Sequence, residues 1–134
     1  MQPYSYVALV SLASLLVYVW MMMRVGAARM KSGIHAPVMT GDPALERAIR
    51  AHLNTLEWLP TFLVSMWLFA IFWSVEVAAG AGVVWIIGRI AYALGYSAEP
   101  KKREVGFMIQ ALAVAVLLFG ALGRIIWTLV SPGA

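Results

Sequence analysis

Apolar and charged positions in this chain fall into long separate blocks. Tyr4 to Met23 carries no charge, and a helix needs about 20 such residues to cross the hydrocarbon core of a bilayer. Trp58 to Val75 is a second uncharged run, bounded by Glu57 and Glu76. Between Val77 and Ala98 the only charge is Arg89, and from Val105 onwards the only one is Arg124. Four spanning helices are predicted, over about 4–24, 44–76, 80–98 and 104–131. Residues 1–134 then form one all-α unit, an integral-membrane four-helix bundle.

The second helix should start well before its apolar run. In Gly41-Asp42-Pro43, Asp42 suits the N-cap and Pro43 the first helical position. Pro60 lies inside that helix and frees a carbonyl one turn earlier, so a kink is expected there. Gly120 and Gly123 in the last helix should permit close helix approach.

Composition agrees with a membrane protein. The chain is 63% hydrophobic and 12% charged, with a mean hydropathy of +0.85. A soluble domain usually carries about twice that charged fraction. There is no cysteine, which excludes a disulfide scaffold and a cysteine nucleophile. A cleaved signal peptide fits the first run poorly, because Arg24, Arg29 and Lys31 follow it instead of preceding it.

Those three cations lie in the first connection, and Lys101, Lys102 and Arg103 lie in the third. The second connection has no lysine or arginine. The positive-inside bias places the two basic connections in the cytoplasm and both termini outside. The net charge of +4 reflects this basic face. It indicates anionic headgroups or an anionic ligand, and no nucleic-acid module is recognisable.

Several polar residues need a further reason. Arg47, Arg50, Asn54 and Glu57 follow one another three or four residues apart and share one helix face. Arg89, Tyr92 and Tyr96 share a face of the third helix. Arg89 sits deep in an apolar run, where a charge costs about 2.5–3.5 kcal/mol and should face the bundle interior. A simple Glu57–Arg89 pair joining the two helices would account for two of these residues only. Cationic donors, a carboxylate and phenols converging at the basic end make a site. Its ligand should offer carboxylates to the arginines and an ammonium to Glu57, as a small zwitterionic peptide does. His35 and His52 lie far apart without Cys or carboxylate in ligand spacing, so no metal site is expected.

The run Glu46-Arg47-Ala48-Ile49-Arg50-Ala51-His52-Leu53-Asn54-Thr55-Leu56-Glu57-Trp58-Leu59-Pro60 resembles the signature of the MAPEG superfamily, membrane proteins of eicosanoid and glutathione metabolism. Ala28-Arg29, Gly88-Arg89, Tyr92, Gly95-Tyr96 and Arg103 extend the resemblance over nearly the whole chain. It implies a homotrimer that binds glutathione between adjacent subunits near the cytosolic face. Arg50, Asn54, Glu57, Arg89, Tyr92 and Tyr96 would bind it from one subunit, and Arg29 and His52 from the neighbour. Arg103 matches the arginine that stabilises the glutathione thiolate in the leukotriene C4 synthase branch. That branch has a tyrosine at the position of Trp58 and an arginine at the position of Met30. The prostaglandin E synthase branch has a histidine in place of Tyr92 and a serine in place of Glu104. These departures argue against a dedicated prostaglandin isomerase.

The resulting expectation is a membrane-bound glutathione transferase in which glutathione, as co-substrate, attacks a lipophilic electrophile from the bilayer. A peroxidase activity on hydroperoxides would use the same thiolate. Two rivals remain: a non-catalytic lipid-binding relative, and a small multidrug transporter. The transporter would need an acid in the first span, and Tyr4 to Met23 has none. The short loops favour a bacterial inner membrane, with the site on its cytoplasmic side. Because the chain has no cysteine, single introduced cysteines test the orientation. A cysteine at Ser131 should react with an impermeant reagent from outside and one at Ser97 should not; the reverse labelling would invert the topology.

Overall fold

The computed structural model describes residues 2–131 and 133. Four long helices make up the chain: α1 (Ser5–Ser32), α2 (Pro43–Phe72), α3 (Val75–Ala98) and α4 (Arg103–Val130). A single 3-10 turn, Pro100–Lys102, joins α3 to α4. Each of the four is long and apolar enough to cross a membrane. The protein is therefore an all-α, multi-pass membrane bundle, and its outward apolar side chains, such as Leu9, Leu12, Leu112 and Phe119, remain exposed on the single chain.

Local chemistry sets the helix ends. Asp42 caps α2, its carboxylate accepting the Leu45 N–H at 3.0 Å, with Pro43 in the first position. The helix then continues through Pro60 to Phe72. α1 runs past its apolar stretch to Ser32 and stops at Gly33, which adopts a left-handed conformation (φ 74°) and donates to the Arg29 carbonyl. The break between α2 and α3 falls at Trp73 and Ser74, inside the span drawn over 44–76. Ser74 caps α3 through its hydroxyl, which accepts the Val77 N–H at 3.2 Å. The Trp73 indole N–H donates to the Gly120 carbonyl at 2.7 Å and ties this turn to α4.

The core lies between α2, α3 and α4, with Val7 and Val10 of α1 closing it. Its centre is Phe62 stacked on Trp85, ring centroids 4.0 Å apart, with Met66, Val114 and Leu117 around them. α3 and α4 approach to backbone contact. A Cβ on Gly88 would lie 2.7 Å from the Gln110 nitrogen, and one on Gly106 would collide with the Tyr92 nitrogen and the Gly88 carbonyl. Gly120 also allows close approach, since a Cβ there would meet Phe69 at 2.6 Å, but Gly123 faces open space. Gly106→Ala should therefore destabilise the bundle by about 1–3 kcal/mol through overpacking against an unyielding backbone. Gly123→Ala should leave thermal unfolding in detergent unchanged, and equal behaviour of the two variants would contradict the α3–α4 contact.

Candidate active site

A cavity of about 590 Å³ opens between α2, α3 and α4 at the basic end of the bundle. α2 contributes Arg50, Leu53, Asn54 and Glu57 to its wall, α3 contributes Tyr92 and Tyr96, and α4 contributes Arg103, Glu104, Phe107 and Met108. The α2 residues share this wall because they follow helical spacing from Arg50. Arg47 lies just beyond, lining a shallow continuation with Pro43, Glu46, Arg50 and Tyr96.

Aromatic rings organise the floor. Tyr92 is buried and meets Tyr96 edge-on at 5.8 Å, while Phe107 lies 6.4 Å from Tyr92 and 5.8 Å from Trp58. The Arg103 guanidinium sits over the Tyr96 ring at 4.9 Å, a cation–π contact that holds the charge at the cavity. The 3-10 turn makes this possible, because it ends where α4 begins and Arg103 is the first residue of α4. Arg103 thus lines the cavity while Lys101 and Lys102 do not. The side-chain oxygen of Asn54 is buried without a hydrogen-bond partner among the described residues.

Arg89 occupies a different position. It is fully buried and does not line the cavity. Its Nε and Nη2 donate to the Thr55 hydroxyl oxygen at 3.2 and 2.7 Å, and its guanidinium lies 4.4 Å from the centre of the Tyr92 ring. The partner is Thr55, not Glu57, so the pair that could have joined α2 to α3 is replaced by a hydroxyl-to-guanidinium contact. Thr55 donates its own proton towards the Ala51 carbonyl at 2.9 Å. Nη1 of Arg89 has no partner among the described residues.

Arg29 and His52 lie away from the cavity within this chain. Arg29 donates to the Val38 carbonyl at 2.7 Å and closes the first connection onto α1. His52 stacks on Tyr18 of α1, with centroids 4.5 Å apart and planes at 11°. Of the nine residues singled out in the sequence, Arg50, Asn54, Glu57, Tyr92, Tyr96 and Arg103 come together. Sequence reasoning did not place Leu53, Glu104, Phe107 or Met108 in the cavity, nor Thr55 against Arg89. Leu53 and Met108 were discoverable as apolar neighbours, in helical spacing, of Glu57 and Glu104. Thr55 carried no signal beyond being a hydroxyl in an otherwise charged or apolar stretch.

Comparison with known proteins places the chain in a family. The MAPEG family model matches residues 7–123. An uncharacterized protein of Synechocystis is 43% identical over 122 residues, covering 91% of this chain and 89% of that protein. Human microsomal glutathione S-transferase 2 is 38% identical over 117 residues, covering 87% of this chain and 80% of its own. Bovine leukotriene C4 synthase is 32% identical over 117 residues, covering 87% and 78%. The chain belongs to the MAPEG family. At family level it is a glutathione-related membrane enzyme.

The Arg89–Thr55 contact yields a direct test. Thr55→Val keeps the side-chain shape but removes the one acceptor that the buried guanidinium has among the described residues. A hydrogen bond to a charged group contributes about 1.5–3 kcal/mol. The variant should unfold earlier in detergent by that amount, whereas Thr55→Ser should retain most of the stability. Equal stability of Thr55→Val and wild type would show that Arg89 is satisfied elsewhere.

Proposed function

We propose that this protein is a membrane-bound glutathione transferase that presents glutathione as a thiolate to lipophilic electrophiles. The supporting observation is the cavity, where two arginines, two carboxylates, an amide and two phenols from three helices line one space. Two of the relatives are named for glutathione transfer and for leukotriene C4 synthesis.

Glutathione has two carboxylates, an ammonium, two amides and a thiol. Glu57 receives the ammonium, Arg50 a carboxylate, and Asn54 an amide N–H. Tyr92 and Tyr96 form the wall, and Arg89 acts through Tyr92 as a positioning residue. The protein assembles as a homotrimer, in which Arg29 and His52 of each subunit serve the neighbour's site. The basic end faces the cytoplasm of a bacterial inner membrane.

Arg103 lies at the sulfur. A thiol of pKa near 8.5 is only about 3% ionised at pH 7. Lowering that pKa by two units takes about 2.7 kcal/mol of preference for the anion. One guanidinium about 4 Å away offers about 4 kcal/mol at an effective dielectric of 20, before offsets. A single arginine is enough, and the proton leaves to water. The thiolate then forms the new S–C bond as a halide departs from an aryl carbon, or as the β-carbon of an unsaturated carbonyl accepts it and the α-carbon is protonated. With a lipid hydroperoxide, two glutathiones supply two electrons and become the disulfide, leaving an alcohol and water.

Binding and chemistry separate experimentally. Glu57→Gln should weaken glutathione binding by about tenfold or more in calorimetry, the loss of one charge-assisted contact. Arg103→Ala should bind glutathione nearly normally at acidic pH but slow conjugation by about ten- to a thousandfold at neutral pH. Its deficit should shrink as pH rises through 8.5, where about half of a free thiol ionises unaided. Lys101→Ala should do neither. Thiolate absorbance against pH reads the same effect directly. A depressed thiol pKa that persists in Arg103→Ala would remove Arg103 from this role.

A further inference from the structure

Resting on the transferase reading, the charges in the cavity leave one group unassigned. Arg50, Glu57 and Arg103 are matched by a carboxylate, the ammonium and the thiolate of glutathione. Glu104, which also lines the cavity, has no counterpart in the tripeptide. It is exposed at the first turn of α4, beside Arg103 in the chain. Glu104, Phe107 and Met108 stand at helical spacing and all three face the cavity. Phe107 and Met108, together with Leu53, make its apolar side.

An electrophile must approach the sulfur from this side. The polar side of the cavity is filled by glutathione, and Phe107 and Met108 are the apolar residues that α4 contributes to the cavity wall. Any anionic substituent on the electrophile then comes close to the Glu104 carboxylate, within a cleft that screens charge less than bulk water does. We infer that Glu104 sets electrophile specificity, selecting neutral or cationic electrophiles and rejecting those that carry a carboxylate. Discrimination of this kind works through repulsion of the wrong partner. A carboxylate in a first helical turn also favours the helix through its dipole, but that role is blind to the charge of the substrate.

The test uses the detergent-purified full-length protein, glutathione, and two aryl chlorides of the same shape: a chloronitrobenzamide and the corresponding chloronitrobenzoate. Wild type should show a higher kcat/KM for the amide, after each rate is divided by its uncatalysed rate. Glu104→Gln should narrow that preference about tenfold, or about 1.4 kcal/mol, and Glu104→Asp should keep most of it. In wild type alone, raising the salt concentration should also narrow the preference, because screening weakens the repulsion. This second arm holds even where a variant folds poorly. If wild type conjugates both chlorides and neither Glu104→Gln nor salt alters their ratio, the inference fails and the transferase reading stands. If Glu104→Gln lowers both rates equally, Glu104 supports only the helix start, and the inference fails again. If wild type conjugates neither chloride nor any other electrophile, the transferase reading fails and takes the inference with it.

Discussion

Backbone contact between α3 and α4 is the constraint on which the site depends. Gly88 and Gly106 face each other so closely that neither tolerates a Cβ, and Gly95 meets the Lys102 carbonyl in the same way. In a bilayer, helix association has little hydrophobic driving force, so packing at small residues takes its place. Gly106 lies against the Tyr92 backbone, so this contact fixes the height of Tyr92 relative to Arg103 and Phe107. The Gly95–Lys102 contact pins the 3-10 turn and sets where α4 begins. Arg103 therefore reaches Tyr96 because three glycines bring two helices together, and a bulkier residue at any of them would displace an arginine from the cavity rim.

Arg89 adds a second constraint from the other side. A guanidinium buried in an apolar bundle is held there by satisfied donors and by aromatic faces. Thr55 of α2 accepts from Nε and Nη2, and Tyr92 of α3 supplies the aromatic face, while Nη1 is left without a partner among the described residues. The same tyrosine thus has Arg89 on one side and the cavity on the other. α2 is coupled to α3 through that buried contact, which orients the wall that Arg50, Asn54 and Glu57 present. The interior charge and the cavity charges are kept apart by one phenol ring.

The four helices were legible because apolar blocks and capping residues are local signals. Asp42-Pro43 announced the start of α2. The α2–α3 break was harder, since no charge interrupts the run up to Val75 and only the Ser74 hydroxyl marks it. The α2 stripe was legible by period, and six of the residues it and the family signature indicated do meet in one cavity. The partner of Arg89 was not legible. Glu57 is the obvious charge complement, whereas a neutral hydroxyl won because it lies inside the bundle and Glu57 lies on the exposed cavity wall. The glycine contact was placed at Gly120 and Gly123 from spacing alone. Which glycines touch depends on helix crossing, and that is decided by the whole bundle.

The position of the cavity explains how two unlike molecules could meet. One side is built from Arg50, Glu57 and Arg103, all near the basic connections. The other is built from Leu53, Phe107 and Met108, and Met108 is exposed on the outer surface of the single chain. In the proposed reaction a water-soluble tripeptide would approach along the charged side, where Arg47 and Arg50 continue the groove. An apolar electrophile concentrated in the bilayer would approach along the other. Arg103 lines the cavity together with Phe107 and Met108, so a thiolate held there, as proposed, would already stand beside the apolar side. In the proposed reaction, proximity would lower part of the barrier, and the arginine would lower it further by favouring the thiolate. A catalytic centre in the middle of the bundle would have exposed neither side, and one wholly in water would have lost the concentrated electrophile.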